Sequence, residues 1–380
     1  GRIMKPGNAR KMRASAPAKL PETPQNGSRR LPTIWADVMY YSEWGETDWP
    51  IGYYSFEPAD VAEISLLGQQ DFLIGYHGCQ IKDGKLYGCY CGDLKAASDS
   101  RERHEYISTY DIETWEGTTQ QTDTYTMVAV ETAQAADGTV YGQFYAPNFS
   151  RREWCIVDYP TMTRTSYGVC KRNYVAIGIT SDKRLYGIAW DGNLYQIDIE
   201  SNEEKLIGPT GLTLNGEEGP WSQTGEIDQS DDTFYWAAID YDGGSGIYTV
   251  DLETGHATYV SKFVGQMVGM IIPPVNTHDE APDAPDNLST SFSGASYTGT
   301  MSFTAPSKTY GGDPLSGSLS YTVTANKKEV ASGSCSAGQA VTVPITVNEG
   351  SGFYNFAVSV ANAEGSSPKK NHKAYVGFAQ

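Results

Sequence analysis

Asp182-Lys183-Arg184-Leu185-Tyr186-Gly187 is the phrase whose reading decides the fold. It recurs as Asp83-Gly84-Lys85-Leu86-Tyr87-Gly88 and as Asp137-Gly138-Thr139-Val140-Tyr141-Gly142, and more loosely as Asp232-Thr233-Phe234-Tyr235-Trp236. Each copy places a turn signal before an alternating, aromatic, strand-like run. Asp-Gly between two such runs is a hairpin signal, because both central residues of the tight turn need a positive φ. The tyrosines at 87, 141, 186 and 235 therefore mark one unit laid down again and again. A second echo confirms the period: Tyr195-Gln196-Ile197-Asp198-Ile199-Glu200-Ser201 against Tyr248-Thr249-Val250-Asp251-Leu252-Glu253-Thr254, with Tyr110-Asp111-Ile112-Glu113-Thr114 as a third copy. Asp and Ser/Thr at these places cap turns through side-chain bonds to the backbone, so they read as structural carboxylates.

A repeat of about 40–50 residues made of short strands resembles a β-propeller, one four-stranded sheet per repeat. Four complete repeats follow residue 71. Before them, 33–43, 51–56 and 61–67 supply three strands without an innermost one. Met267-Val268-Gly269-Met270-Ile271-Ile272 is the apolar segment that would complete that sheet, pairing the end of the propeller with its start and removing exposed edges. The expectation is an all-β chain with a five-bladed propeller over 33–275, closed by strand 267–272; a sixth blade is the alternative if the tail contributes strands.

Residues 1–32 read as a basic tail or linker, and 276–285, rich in Pro and Asp, as a hinge. The segment 286–380 differs in composition, with Ser, Thr and Gly between alternating strands. Tyr354-Asn355-Phe356-Ala357-Val358-Ser359-Val360-Ala361-Asn362-Ala363-Glu364-Gly365 resembles the sixth strand and turn of fibronectin type III modules. Met301-Ser302-Phe303-Thr304-Ala305-Pro306 is similar to their second strand, with Phe303 in place of the usual Trp, and Leu319-Ser320-Tyr321-Thr322-Val323 to their third. The resemblance implies a β-sandwich acting as a spacer or interaction module. The two-part chain resembles extracellular proteins of gut bacteria involved in adhesion or polysaccharide capture.

The net charge is −18. Residues 1–32 hold eight Lys/Arg against Glu22, a balance of +7, so the remainder carries −25. That excludes a general affinity for nucleic acid or anionic lipid. No apolar run approaches the ~20 residues of a membrane helix, and no membrane insertion is expected. A secreted or cell-surface monomer is expected, with any signal segment outside the given sequence. Six cysteines leave free buried thiols or pairs such as Cys155 with Cys170, or Cys79 with Cys89 or Cys91, as open readings.

In a propeller, the turns between first and second and between third and fourth strands lie on one rim. The remaining connections lie on the other. Here the first class is short, while the second holds 44–49, 92–104, 146–152, 208–221 and 240–246. Long loops on a rigid scaffold carry binding sites. That rim is expected to display Trp44, Trp49, Trp221, Arg151, Arg152, Arg101 and Arg103, and tryptophan faces stack on sugar rings. The innermost strands add polar residues toward the axis: His77, Glu131, Gln223, Glu226 and Asp228. The candidate ligand-binding set is Trp44, Trp49, Trp221, His77, Gln223 and Arg151, for a glycan or a surface protein.

If the chain is an enzyme, Glu131 and Glu226 are the pair to do acid/base work on a glycosidic bond, as hydrolase or lyase. The sequence lacks the three acids at equivalent depth in consecutive blades that mark arabinanase-like glycosidases. A third reading is a scaffold for envelope proteins. No metal and no cofactor are called for, since there is no GxSxG, HExxH, phosphate loop or closed calcium loop.

Overall fold

The computed structural model describes residues 31–41, 50–70, 76–92, 104–122, 124–215, 220–242 and 244–378. Trp44, Trp49, Arg101, Arg103 and the basic tail up to residue 30 lie outside them. The chain divides into two compact units, the first comprising Gly1–Val61 and Leu66–Pro273 and the second Ala62–Ser65 and Pro274–Gln380.

The first unit opens with β1 (Ile34–Tyr41), β2 (Gly52–Glu57) and β3 (Asp60–Gln69). The second set is β4 (Gly78–Lys82), β5 (Lys85–Gly92), β6 (His104–Asp111) and β7 (Gly117–Thr122). The third is β8 (Ala129–Gln134), β9 (Val140–Tyr145), β10 (Arg152–Asp158) and β11 (Thr163–Val169). The fourth is β12 (Tyr174–Ile179), β13 (Leu185–Ala189), β14 (Asn193–Asp198) and β15 (Glu203–Pro209). The fifth is β16 (Thr224–Asp228), β17 (Thr233–Ala238), β18 (Gly246–Val250) and β19 (Ala257–Lys262), followed by β20 (Gly265–Ile271).

Each set is a four-stranded antiparallel sheet in chain order, except that β20 joins the first, in the order β20-β1-β2-β3. Its register pairs Asp37 with Val268 and Val38 with Met267. The described residues of this unit thus form five four-stranded sheets. Their innermost strands pack in a ring: β20 against β4, β4 against β8, β8 against β12, β12 against β16, and β16 back against β20. This is a propeller-like, all-β arrangement, with the late strand next to the early one.

Burial follows the radius. Every residue of β12, β16 and β20 is buried, whereas β7 and β11 are mostly exposed. A strand covered on both faces reads as an unbroken apolar run, so the innermost strands show no alternation. The turn chemistry is as the composition requires. Asp83 and Gly84 have φ of 51° and 73°. Asp111, Asp198 and Asp251 each accept the backbone N–H groups two and three residues ahead, at 2.8–3.3 Å.

The sheets are joined by buried polar side chains that satisfy the entering backbone of the next inner strand. Asp37 of β1 accepts from Tyr76 N at 2.8 Å, and Gln143 of β9 from Tyr174 N at 3.1 Å. Asp37 and Gln143 hold the same place in their repeats, two residues after an aromatic. Glu105 of β6 does the same for Met127 N at 2.8 Å. Between inner strands, Thr132 Oγ1 accepts from Cys79 N and Gln134 Oε1 from Ile81 N, at 3.0 and 2.8 Å.

All six cysteines are free. Cys79 lies opposite Gly88 and Cys89 opposite Gly78. Cross-strand partners share a face and neighbours alternate, so Cys79 points to the face opposite Cys89 and Cys91, and of the two open readings the pairing does not form. Cys155 lies opposite Ser166, not Cys170.

The second unit contains β21 (Asp286–Phe292), β22 (Thr298–Thr304), β23 (Ser318–Ala325), β24 (Lys328–Ser336), β25 (Ala340–Thr346), β26 (Gly352–Asn362), β27 (Gly365–Ser366) and β28 (Lys370–Val376). One sheet has the order β21-β22-β25; the other has β24-β23-β26, with β28 also paired to β26. Met301, Phe303, Val323, Phe356 and Val358 fill a shared core.

Candidate functional site

Strand parity places the connections 58–59, 83–84, 112–116, 135–139, 159–162, 180–184, 199–202, 229–232 and 251–256 on one rim. Among the described residues, the opposite rim carries 50–51, 76–77, 124–128, 146–151, 170–173, 210–215, 220–223, 239–242 and 263–264, together with the short turn 190–192. Two groupings of side chains stand out, one on this longer-looped rim and one at the axis.

On the rim, Arg152 opens β10. Its guanidinium lies 4.9 Å from the centroid of the Trp190 ring and 5.4 Å from that of Tyr145. Such stacking is favourable for a cation over an aromatic face, more so when both are partly out of water. Its Nη1 donates to Gln143 Oε1 at 3.3 Å. Gln143 is fully buried and fixed from its other side, since Nε2 donates to the Arg172 carbonyl at 2.8 Å. Trp190 is held at its own carbonyl, which accepts from Asn215 Nδ2 at 2.6 Å. His77 enters the same rim at the start of the second sheet. Burial pushes its imidazole down to about 3, with the Arg152 charge acting the same way and a hydrogen bond to the Val130 backbone opposing. It is therefore neutral at physiological pH.

The rim residues expected from the sequence divide sharply. Arg151 is exposed, and its Nε is tied to Glu153 Oε1 at 3.1 Å. Trp221 is only 4% exposed, so it packs the loop down and presents no open stacking surface. Gln223 is also buried, and its Oε1 accepts from Trp236 Nε1 and Ile239 N, both at 3.1 Å. It is committed to the fold. Trp44 and Trp49 lie outside the described residues. Trp190 and Tyr145 were not anticipated. Trp190 ends a repeat phrase and begins a short turn, so loop length gave no signal for it.

At the axis, Glu131 of β8 and Glu226 of β16 are brought close enough to interact, at 1% and 4% exposure. One oxygen of each turns back to the following backbone N–H, Thr132 N at 3.3 Å and Ile227 N at 2.9 Å. Burial raises the Glu131 carboxyl well above the usual range, and the Glu226 charge adds to it against a bond from Thr224. Burial raises Glu226 to about 8, opposed by the backbone of Ile227, Ile179 and Gln134. Cys79 lies in the same cluster, its thiol pushed up to about 12 by burial and by both carboxylates. Glu226 thus holds its proton at neutral pH, Glu131 is shifted in the same direction, and the thiol stays unreactive. Asp228, two residues further along β16, accepts from Ser230 N and Oγ at 3.0 and 2.7 Å and caps its turn.

Among the described residues, one grouping has metal-type ligands in reach: His278, Glu280 and Glu364 of the second unit, with ligand atoms within 4.8 Å. All three are exposed, which by itself defines no metal centre.

No family model and no curated protein matches this chain. Solved structures do. An oligogalacturonate lyase from Vibrio parahaemolyticus is similar at 13% identity and a TM-score of 0.32, covering 53% of this chain and 75% of that one. TolB from Acinetobacter baumannii is similar at 12% and 0.32, covering 80% and 67%. A sucrose-6-phosphate hydrolase from Lactobacillus gasseri is similar at 12% and 0.35, covering 88% and 81%. At these values the likenesses assign neither family nor activity.

Proposed function

We propose that the chain is an extracellular or cell-surface binding protein, acting as a monomer. The longer-looped rim of its first unit takes a glycan or protein ligand, and its second unit is a fibronectin type III-like spacer. The observation that carries the reading is the Tyr145–Arg152–Trp190 stack, a partly open, pre-positioned group of aromatic and cationic surface on the rim where connections are longest. The spacer reading is supported by the three-plus-five strand arrangement around one core, the fifth strand being the two-residue β27. It is also supported by Tyr354, whose hydroxyl donates to the Gly350 carbonyl at 2.8 Å and accepts from Glu349 N at 3.0 Å. That is the corner contact typical of such sandwiches. The placement outside the cell, and the likeness to gut-bacterial adhesion and polysaccharide-capture proteins, rest on that resemblance.

A second reading, a glycoside hydrolase or lyase using Glu131 and Glu226, is favoured by one observation: two neighbouring acids with raised proton affinity. Their burial and their bonds to their own backbone favour a structural role. A glycan array followed by reducing-sugar assays on every glycan bound decides between the two. Trp190→Ala is expected to weaken binding at least tenfold, while Arg151→Ala, which removes an exposed and already paired group, leaves it within twofold. Sugar release by the wild type that disappears in Glu226→Gln would establish the enzyme instead.

A further inference from the structure

Five arginines lie among the described residues, and four of them meet a carboxylate. Arg151 and Arg164 both reach Glu153, at 3.1 and 2.6 Å. Arg172 reaches Glu204 at 3.4 Å, and Arg184 reaches Asp182 at 2.9 Å. Arg152 meets none among the described residues. The chain has 46 acidic residues against 28 basic ones, so a carboxylate partner is easy to supply. A half-buried guanidinium without one is costly in a folded protein. Here it is held in place by Tyr145, Trp190 and Gln143, which stack on it or accept a bond from it but bring no negative charge.

From this we infer that Arg152 is the anchor for an anionic substituent of the ligand, a carboxylate carried on an otherwise neutral saccharide. The inference rests on the reading of this rim as the binding face. The guanidinium offers paired N–H groups in a plane, a geometry that matches a carboxylate. Trp190 and Tyr145, half-buried beside it, provide flat apolar surface for the ring that bears the charge. The rest of the body limits the charge of the ligand. Outside residues 1–32 the chain carries −25, since those residues hold +7 of the total −18. A densely charged polyanion would be repelled by that field, whereas an isolated carboxylate between neutral sugar units is not. An acidic peptide would meet the same guanidinium but leave the flat surfaces without a ring to cover them.

The test uses the full chain and matched trisaccharides that differ only in their terminal unit, glucuronate in one and glucose in the other. An Asp-rich peptide is the third probe. Affinities are measured by calorimetry at low and at high salt. The wild type is expected to bind the glucuronate form at least tenfold more tightly than the glucose form, with the difference shrinking as salt is raised. Arg152→Gln should erase that preference, and Arg152→Lys should keep part of it, because the charge remains and the planar fork does not. Melting curves show that each variant is folded, and the lysine form keeps the test valid should the glutamine form be unstable. Equal binding of the two saccharides, or a preference that survives in Arg152→Gln, overturns the inference. If Trp190→Ala still loses saccharide binding in that case, the rim reading stands without it. If neither Trp190→Ala nor Arg152→Gln changes binding, the rim reading itself fails. Preferential binding of the peptide, or binding of no acidic probe, also overturns the inference.

Discussion

Raising the pH from 5 to 8 is expected to destabilise the first unit by several kcal/mol, the reverse of the usual behaviour of a protein held by ion pairs. The cause is a set of carboxyls that the fold keeps out of water. Asp37 is 0% exposed, and burial raises it from 3.8 to about 7 against the single bond from Tyr76 N. Its other oxygen, Oδ1, has no hydrogen-bond partner among the described residues. The groups facing it are the phenols of Tyr53, Tyr54 and Tyr76, all raised themselves by burial and none able to offer a positive charge. Glu226 rises to about 8 and Glu131 moves the same way.

Between about pH 4 and the raised values, the native chain binds more protons than the unfolded chain. The stability these raised acids supply is therefore complete below pH 4 and is lost as the pH climbs toward 7 and 8. A shift of about three units at Asp37 alone corresponds to about 4 kcal/mol, a large share of the roughly 5–15 kcal/mol that holds a domain together. Groups moved the other way do not mask this: His77, lowered from 6.5 to about 3, offsets one of these extra protons only up to its ordinary value, and above it the loss proceeds unopposed. Asp137 and Asp158 are lowered to about 2, so their contribution is lost only as the pH falls below 4. Thermal melts of the wild type from pH 4 to 9 should show Tm falling through neutrality. Asp37→Asn, a neutral mimic of the protonated acid that still accepts from Tyr76 N, should come closest to the wild type at pH 4 and exceed it by a growing margin up to about pH 7. A Tm that is flat or rises from pH 5 to 8 would contradict this account of the buried acids.

Gly269→Ala is expected to cost about 3–5 kcal/mol, the range reached when strain and a core clash coincide. Gly269 sits in β20 with φ of 58°, where an L side chain alone costs about 1–2 kcal/mol. A Cβ there would be driven into the Tyr76 carbonyl oxygen and come to 3.0 Å from the Tyr53 hydroxyl. The carbonyl belongs to the backbone entering β4, so it cannot swing aside as a side chain would. Gly84→Ala separates the two terms. Its φ is 73°, with nothing within 4 Å of the added carbon, so only the strain of about 1–2 kcal/mol applies. Urea unfolding of both variants should place Gly269→Ala well below Gly84→Ala; equal losses would mean that the approach of β20 to β4 is looser than described.

The repeat and its closure were legible because they rest on local chemistry. Asp83-Gly84 and Asp137-Gly138 announce their turns, and the apolar run near 270 has no other place to be buried. The rim was legible only as a rim. Counting loop length and tryptophans points to Trp221, which folds inward, because sequence does not say which way an aromatic turns. The stack that forms instead joins Arg152 to Trp190, 38 residues later and one sheet further round, so no local pattern announces it. Of the adjacent pair Arg151 and Arg152, it is Arg151, in the connection just before β10, that finds Glu153, while Arg152 opens the strand on the alternate face. Asp37 and Glu105 look like solvent-facing members of alternating strands; only the neighbouring sheet shows them to be buried caps for the backbone of the next repeat.

Every statement about the two rims depends on β20 being the innermost strand of the first sheet. Circular dichroism melts of two shortened chains test that most directly, one ending at Pro273 and the other at Val264. The chain to Pro273 keeps β20 and should unfold in one cooperative transition. The chain to Val264 loses seven buried residues and the partner of β1 and should show no such transition. A Val264 chain that melts as cooperatively, and at the same temperature, would contradict the closed ring and the rim assignments built on it.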